Sequence, residues 1–116
     1  MTPATPKLSD SAFRVLLALA DHDKHGWAIL KDVEESSGGA ARLSAGTLYG
    51  LLKRLLDQGL VRESDERPPQ RWDDERRRYY TLTDLGRDVA REEVEKLERT
   101  LSTARRRGLL VQEAGS

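Results

Sequence analysis

The chain contains no cysteine, which excludes both a disulfide framework and a thiolate metal centre. Aromatic residues make up only 5% of its 116 residues, against 34% charged, so much of the length must be solvated helix surface or surface that meets a partner. Long apolar runs are also missing. Nothing approaches the roughly 18 residues of a membrane span, and the N-terminus offers a single Lys7 without an apolar core segment. The expectation is a cytoplasmic protein without membrane contact. Excess charge of either sign is absent as well, with 20 basic residues balanced by 20 acidic ones. A chain of this length fits one domain that buries about two-thirds of its unfolded surface.

The signatures of catalysis are missing too. There is no glycine-rich phosphate loop with its lysine, no nucleophile elbow, and no pair of carboxylates that periodicity would bring together. His22 and His25 lie close in sequence, but two histidines without cysteine fall short of a metal site. The reading is a non-enzyme without cofactor or metal.

What is present is a segregated charge pattern. Arg42, Lys53 and Arg54 stand in a stretch from 36 to 56 that holds no acid, and Arg76 to Arg78 and Arg105 to Arg107 form basic triplets. The acids collect at Asp32 to Glu35, Asp73 to Glu75 and Glu92 to Glu98. A neutral protein arranged in this way can still present one positive face.

The apolar periodicity predicts three helices in the first half. Residues 1–8, with Thr-Pro-Ala-Thr-Pro, form an N-terminal arm. Ser9 caps a first helix that buries Phe13, Leu16, Leu17 and Ala20 and ends near His22. A second begins at His25 or Gly26, lines one side with Gly26, Ile29, Leu30 and Val33, and stops at Ser36-Ser37-Gly38-Gly39. The third runs from its cap Ser44 to Gly59. Leu48, Leu51, Leu52 and Leu55 form its buried stripe, and Thr47, Gly50, Lys53 and Arg54 point away from the core. A capped helix with one leucine face and one bare, basic-polar face has the pattern of a DNA-reading helix.

Beyond Gly59 the pattern alternates. Leu60 to Ser64 reads as a short strand, Asp65 to Glu75 with Pro68-Pro69 as a loop, and Arg76 to Leu82 as a second strand. Thr83 then caps a final helix in which Ala90, Val94, Leu97, Leu101 and Ala104 step by four, three, four and three. From Asp84 to Arg107 that helix would extend roughly 36 Å, more than so small a domain can cover, so its seam calls for a partner helix. The fold class is mainly α with a small antiparallel β-hairpin (α+β): a winged helix-turn-helix at 9–82, a dimerisation helix at 83–108 and a flexible tail at 109–116.

Several elements together carry a resemblance. His25-Gly26-Trp27, Gly38-Gly39, Leu43-Ser44-Ala45-Gly46-Thr47-Leu48-Tyr49, Leu52-Lys53-Arg54-Leu55, Gly59-Leu60-Val61 and Arg78-Tyr79-Tyr80-Thr81-Leu82-Thr83 through Gly86 make the chain resemble the PadR family of bacterial transcriptional regulators. A single C-terminal helix places it with the short subgroup. The resemblance implies a dimeric winged-helix protein, mostly a repressor, with the third helix in the major groove of double-stranded DNA. It also implies wings near the flanking minor groove and a homodimer formed through the last helix. Some family members respond to small aromatic or cationic effectors held between subunits.

On this reading the candidate DNA contacts are Ser44, Gly46, Thr47, Tyr49, Lys53 and Arg54 in the third helix, with Arg67, Arg71 and Arg77 in the wing. Ser44 serves first as a cap, and Lys53 and Arg54 also suit ordinary solvated positions. The wing departs from a plainly basic one, because Asp65, Glu66, Asp73, Asp74 and Glu75 share it with the arginines. Trp27 and Trp72 are the candidate effector contacts. Packing of Trp27 into the core or an interface, and of Trp72 across the wing base, are the competing readings. His25 is expected to start and orient the second helix. Zero net charge and the acidic wing leave one alternative function, a winged-helix protein-interaction module without DNA binding.

Overall fold

The structure, a computed structural model, describes residues 8–64 and 78–110. Four helices and three short strands follow in the order α1 Asp10–Ala18, β1 Lys24–His25, α2 Gly26–Ser36, α3 Ala45–Asp57, β2 Val61–Glu63, β3 Tyr79–Leu82 and α4 Asp84–Arg106. Residues 1–7 of the expected arm, the whole expected loop 65–75 with Arg67, Arg71 and Trp72, Arg76 and Arg77 of the expected second strand, and residues 111–116 of the expected tail lie outside the described residues.

Each helix begins on a side chain that accepts from a free amide of its first turn. Ser9 takes the Ala12 N–H at 3.1 Å, Ser44 that of Thr47 at 3.1 Å, and Thr83 that of Gly86 at 2.9 Å. His25 caps α2 through Nδ1, 3.3 Å from the Ala28 nitrogen, and its ring meets Tyr79 edge-on at 5.4 Å. Its expected role in starting the second helix is what the geometry displays.

The core joins α1, α2, α3, the sheet and the start of α4. Val15, Leu16, Ile29, Val33, Leu48, Leu52, Leu55, Leu60 and Val61 are essentially removed from water. At about 1.5 to 3 kcal/mol for each large aliphatic side chain buried, this apolar cluster is what holds α3 in place. Leu8, assigned from sequence to the arm, packs half-buried against the same cluster.

Three features differ from the sequence reading. First, α1 stops at Ala18 rather than near His22. Buried Lys24 folds back so that its ammonium donates to the Ala18 carbonyl and, at 2.6 Å, to Asp21 Oδ1, which favours ending the helix there. Leu17 and Ala20 are exposed, and Val15, Ala18 and Leu19 take the inward positions. Second, the hairpin is a sheet of three strands, ordered β1-β3-β2 and antiparallel throughout. Lys24 pairs with Tyr80 and His25 with Tyr79, while Val61, Arg62 and Glu63 pair with Leu82, Thr81 and Tyr80. Third, Ala90 of the expected dimer seam is buried with Val89 in the chain's own core, where α4 packs on α1. The first step of the heptad pattern is therefore occupied within the domain itself.

The hinge between hairpin and α4 is tight. A Cβ on Gly86 would collide with the Leu60 carbonyl oxygen and lie 2.8 Å from Leu82 Cδ1, so only glycine fits the first turn of α4.

Candidate nucleic-acid interface

The exposed face of α3 is built from the residues its leucine stripe leaves over. Leu48, Leu51, Leu52 and Leu55 are buried, and at 100° per residue this turns Gly46, Gly50 and Lys53 to the opposite side. The same side carries Asp57 at the helix end, one residue beyond the acid-free stretch. No described side chain lies within 4 Å of where a Cβ on Gly46 or Gly50 would stand. The helix backbone is thus bare at both positions. Glycine inside a helix costs roughly 1 kcal/mol relative to alanine, and neither packing nor backbone angle within the chain calls for it at Gly50.

The polar residues at the start of α3 are already partly engaged. Ser44 Oγ accepts from the Thr47 amide and donates to Thr47 Oγ1 at 3.0 Å. This engages the Ser44 hydroxyl as a cap and leaves the Thr47 hydroxyl its own proton to donate. Tyr49 is 51% exposed, but one side of its ring lies on α2. A Cβ on Gly26 would stand 2.9 Å from Tyr49 Cζ, so Gly26 makes room for the tyrosine that braces α3 against the start of α2. That contact was not foreseen from sequence. Its trace in the sequence is the glycine at 26 alone, since the aromatic it accommodates is Tyr49 and not the adjacent, exposed Trp27.

The basic residues prove to be dispersed. Lys53 is exposed and has no carboxylate partner among the described residues. Arg54, one step round the helix, instead lines a 120 Å³ recess with Leu8, Ser9, Ala12 and Gln58. Lys53 and Arg54, expected on one face, therefore point to different surroundings. Arg42 pairs with Glu34 of α2 at 3.3 Å, so the gap in acids along the sequence is closed in space by a carboxylate from the preceding helix. Exposed pairs of this kind contribute little to stability, but they do cancel charge. Arg78 is likewise paired with Glu63 across the hairpin at 3.2 Å.

A polar network joins the base of the hairpin to the segment after α1. Burial pushes the Asp23 carboxyl up, but hydrogen bonds from Ser64 and Thr81 outweigh it and hold the group below its ordinary range. The hydrogen bond from Lys24 holds the Asp21 carboxyl low in the same way. Burial raises the Tyr80 phenol.

Trp27 is 64% exposed at the first turn of α2, with the Lys31 ammonium 5.2 Å from the centre of its ring. Packing into this chain's own core is thereby excluded. On α4, Val94, Leu97 and Leu101 are 38%, 45% and 43% exposed along one edge, and Ala104 is half-buried. No helix among the described residues is long and apolar enough to cross a membrane, and no described group of three or more His, Cys, Asp or Glu side chains is arranged to hold a metal.

This arrangement matches known proteins. The model of the transcriptional regulator PadR-like family fits residues 15–92, from α1 into the first half of α4. A PadR family transcription regulator from Clostridium difficile superimposes with a TM-score of 0.68 at 24% identity, over 82% of this chain and 94% of that one. Bacillus subtilis PadR, in complex with operator DNA, superimposes with a TM-score of 0.60 at 21% identity, over 72% of this chain and 47% of that one. At such identities the two structures speak for the fold. An uncharacterized 37.1 kDa protein in transposon TN4556 of Streptomyces fradiae is 38% identical over 93 residues, covering 80% of this chain and 24% of that protein. The chain thus spans about a quarter of that relative. With the family model covering most of the three-helix unit, the hairpin and the start of the long helix, the chain belongs to the PadR-like family of transcriptional regulators, a family of regulators and not of enzymes.

Proposed function

We propose that the chain is a cytoplasmic, homodimeric repressor that binds a pseudo-palindromic operator with α3 in the major groove. The observation that carries this reading is the exposed face of α3, where Gly46, Thr47, Gly50 and Lys53 stand clear of the chain's own packing. A helix whose backbone is bare and whose exposed Lys53 has no carboxylate partner among the described residues suits a groove lined by phosphate, with Asp57 confined to its far end. Bacillus subtilis PadR, which shares this fold, is in complex with operator DNA, and that supports DNA as the partner.

The second half of the proposal rests on α4. Val94, Leu97 and Leu101 form an apolar edge that the monomer leaves in water, and Ala104 continues it. Pairing of two such edges would set the two reading helices about 34 Å apart, one turn of DNA. Tyr49 and Arg54 flank the reading face, and Ser44 acts through the cap. Arg67, Arg71 and Arg77 remain the proposed wing contacts. For relief by a small-molecule effector, Trp27 is the described candidate contact, its exposed ring already attracting a cation; Trp72 is the other.

Selection of bound duplexes from a random-sequence pool tests the proposal directly. A DNA-reading dimer enriches a two-part, inverted-repeat sequence. Enrichment of nothing would instead favour the interaction module that zero net charge and the Arg42–Glu34 pair make the rival.

A further inference from the structure

Thr83 is the point at which the end of α3 and the start of α4 are tied together. Its hydroxyl works in both directions: it accepts from the Gly86 amide at 2.9 Å, capping α4, and donates to the Gly59 carbonyl at 2.6 Å, just past the end of α3. Its own amide donates to the Leu60 carbonyl at 3.1 Å. That carbonyl is also what leaves no room for a Cβ on Gly86. Gly59 sits at φ 76°, so the segment that leaves α3 is itself a defined turn rather than a free joint. One residue thus fixes the first turn of the long helix to the chain leaving the reading helix.

We infer that Thr83 is a spacing-determining residue: by its bond to Gly59 it sets the angle between α3 and α4, and so the distance between operator half-sites that the dimer accepts. This rests on the dimeric, DNA-reading function proposed above. The length of α4 turns a small tilt at Thr83 into a large displacement. From Thr83 to Leu97 the helix rises roughly 21 Å. With the seam fixed against a partner, a tilt of about 10° at Thr83 moves α3 by roughly 4 Å at that length. The rise of one base pair is about 3.4 Å, so a loose joint blurs the half-site spacing by about one base pair. Packing of Val89 and Ala90 on α1 holds α4 to the domain, and the Thr83 amide ties it to Leu60; the Thr83 hydroxyl adds a second bond, to Gly59, and two bonds fix an angle where one leaves a pivot.

Two functions of the same hydroxyl can be separated. T83D keeps a cap acceptor for the Gly86 amide but has no proton to give Gly59, whereas T83S keeps both. The full-length chain is used to select duplexes from a random pool, and the winning duplex is then remade with one base pair inserted or deleted between the half-sites. Wild type and T83S should lose affinity about 10-fold or more on either change. T83D should lose less than about 3-fold while remaining dimeric in light scattering and equally helical in circular dichroism. If T83D does not reach native helix content, T83V, which keeps the shape but gives up both the cap and the bond to Gly59, carries the same prediction for spacing. Full spacing discrimination in a folded T83D or T83V would overturn the inference and leave the DNA reading standing. A wild type that enriches no duplex would overturn the DNA reading, and this inference with it.

Discussion

Helices α3 and α4 are both amphipathic, yet they use their apolar sides differently. Four of the five leucines of α3 are spent inside the chain, and what lies opposite them is glycine and lysine, with threonine, tyrosine and arginine at the flanks and Asp57 at the end. On α4 only the first turns are spent in this way, at Gly86, Val89 and Ala90, while Val94, Leu97 and Leu101 stay in water. A helix whose apolar face is satisfied has only its polar face left to offer, so α3 suits a polar partner. A helix whose apolar edge is unsatisfied suits a second apolar edge. The same hydrophobic effect that fixes α3 as a platform leaves α4 as an adhesive strip.

The contrast can be broken at either helix. Replacing Leu97 and Leu101 together by Glu should convert a dimer to a monomer, halving the mass seen in light scattering, and abolish DNA binding while the domain stays folded. Leu52→Ala, on the satisfied side of α3, should cost about 2 to 5 kcal/mol in urea unfolding, because a fully buried side chain leaves a cavity. Lys53→Ala should leave unfolding unchanged within about 0.5 kcal/mol but weaken DNA binding across all sequences, lowering the salt slope by about 0.9. Tyr49→Ala should do both, weakening binding and lowering stability, since its ring is at once exposed and seated on Gly26.

The smallest effect concerns the shared scaffold beneath both helices. Asp23 is held below its ordinary value of 3.8, so its stabilisation is complete above that value and lost as pH falls through the lower, folded one. Asp23→Asn should flatten the loss of stability below about pH 4 in acid titration followed by circular dichroism. An unchanged acid limb would show that other groups govern it.

How far the fold was legible follows from how local each signal is. Ser9, Ser44 and Thr83 announce their helices because a cap acts within one turn, and the leucine stripe of α3 repeats often enough to be read. Strand β1 has two residues and owes its existence to Tyr79 and Tyr80, more than 50 positions away, so no periodicity could reveal it. The end of α1 was misplaced for a related reason, since Lys24 reaches back to stop it. Ala90 obeys the heptad spacing of its helix but is claimed by α1, a competition that spacing alone does not register. In the site, the bare face of α3 was readable from the leucines opposite it. The pairing of Arg42 with Glu34 and the turning of Arg54 toward Ser9 were not, because charge runs along a sequence carry no direction in space.

The central claim, that the bare face of α3 meets DNA, is tested most directly by the salt dependence of binding to the duplex that the wild-type chain selects. If Lys53 and its neighbours approach phosphates, log affinity should fall linearly with log salt at a slope of about −0.9 for each contact, and Lys53→Ala should remove about one contact from that slope. A flat salt response, or a slope identical in wild type and Lys53→Ala, would contradict it.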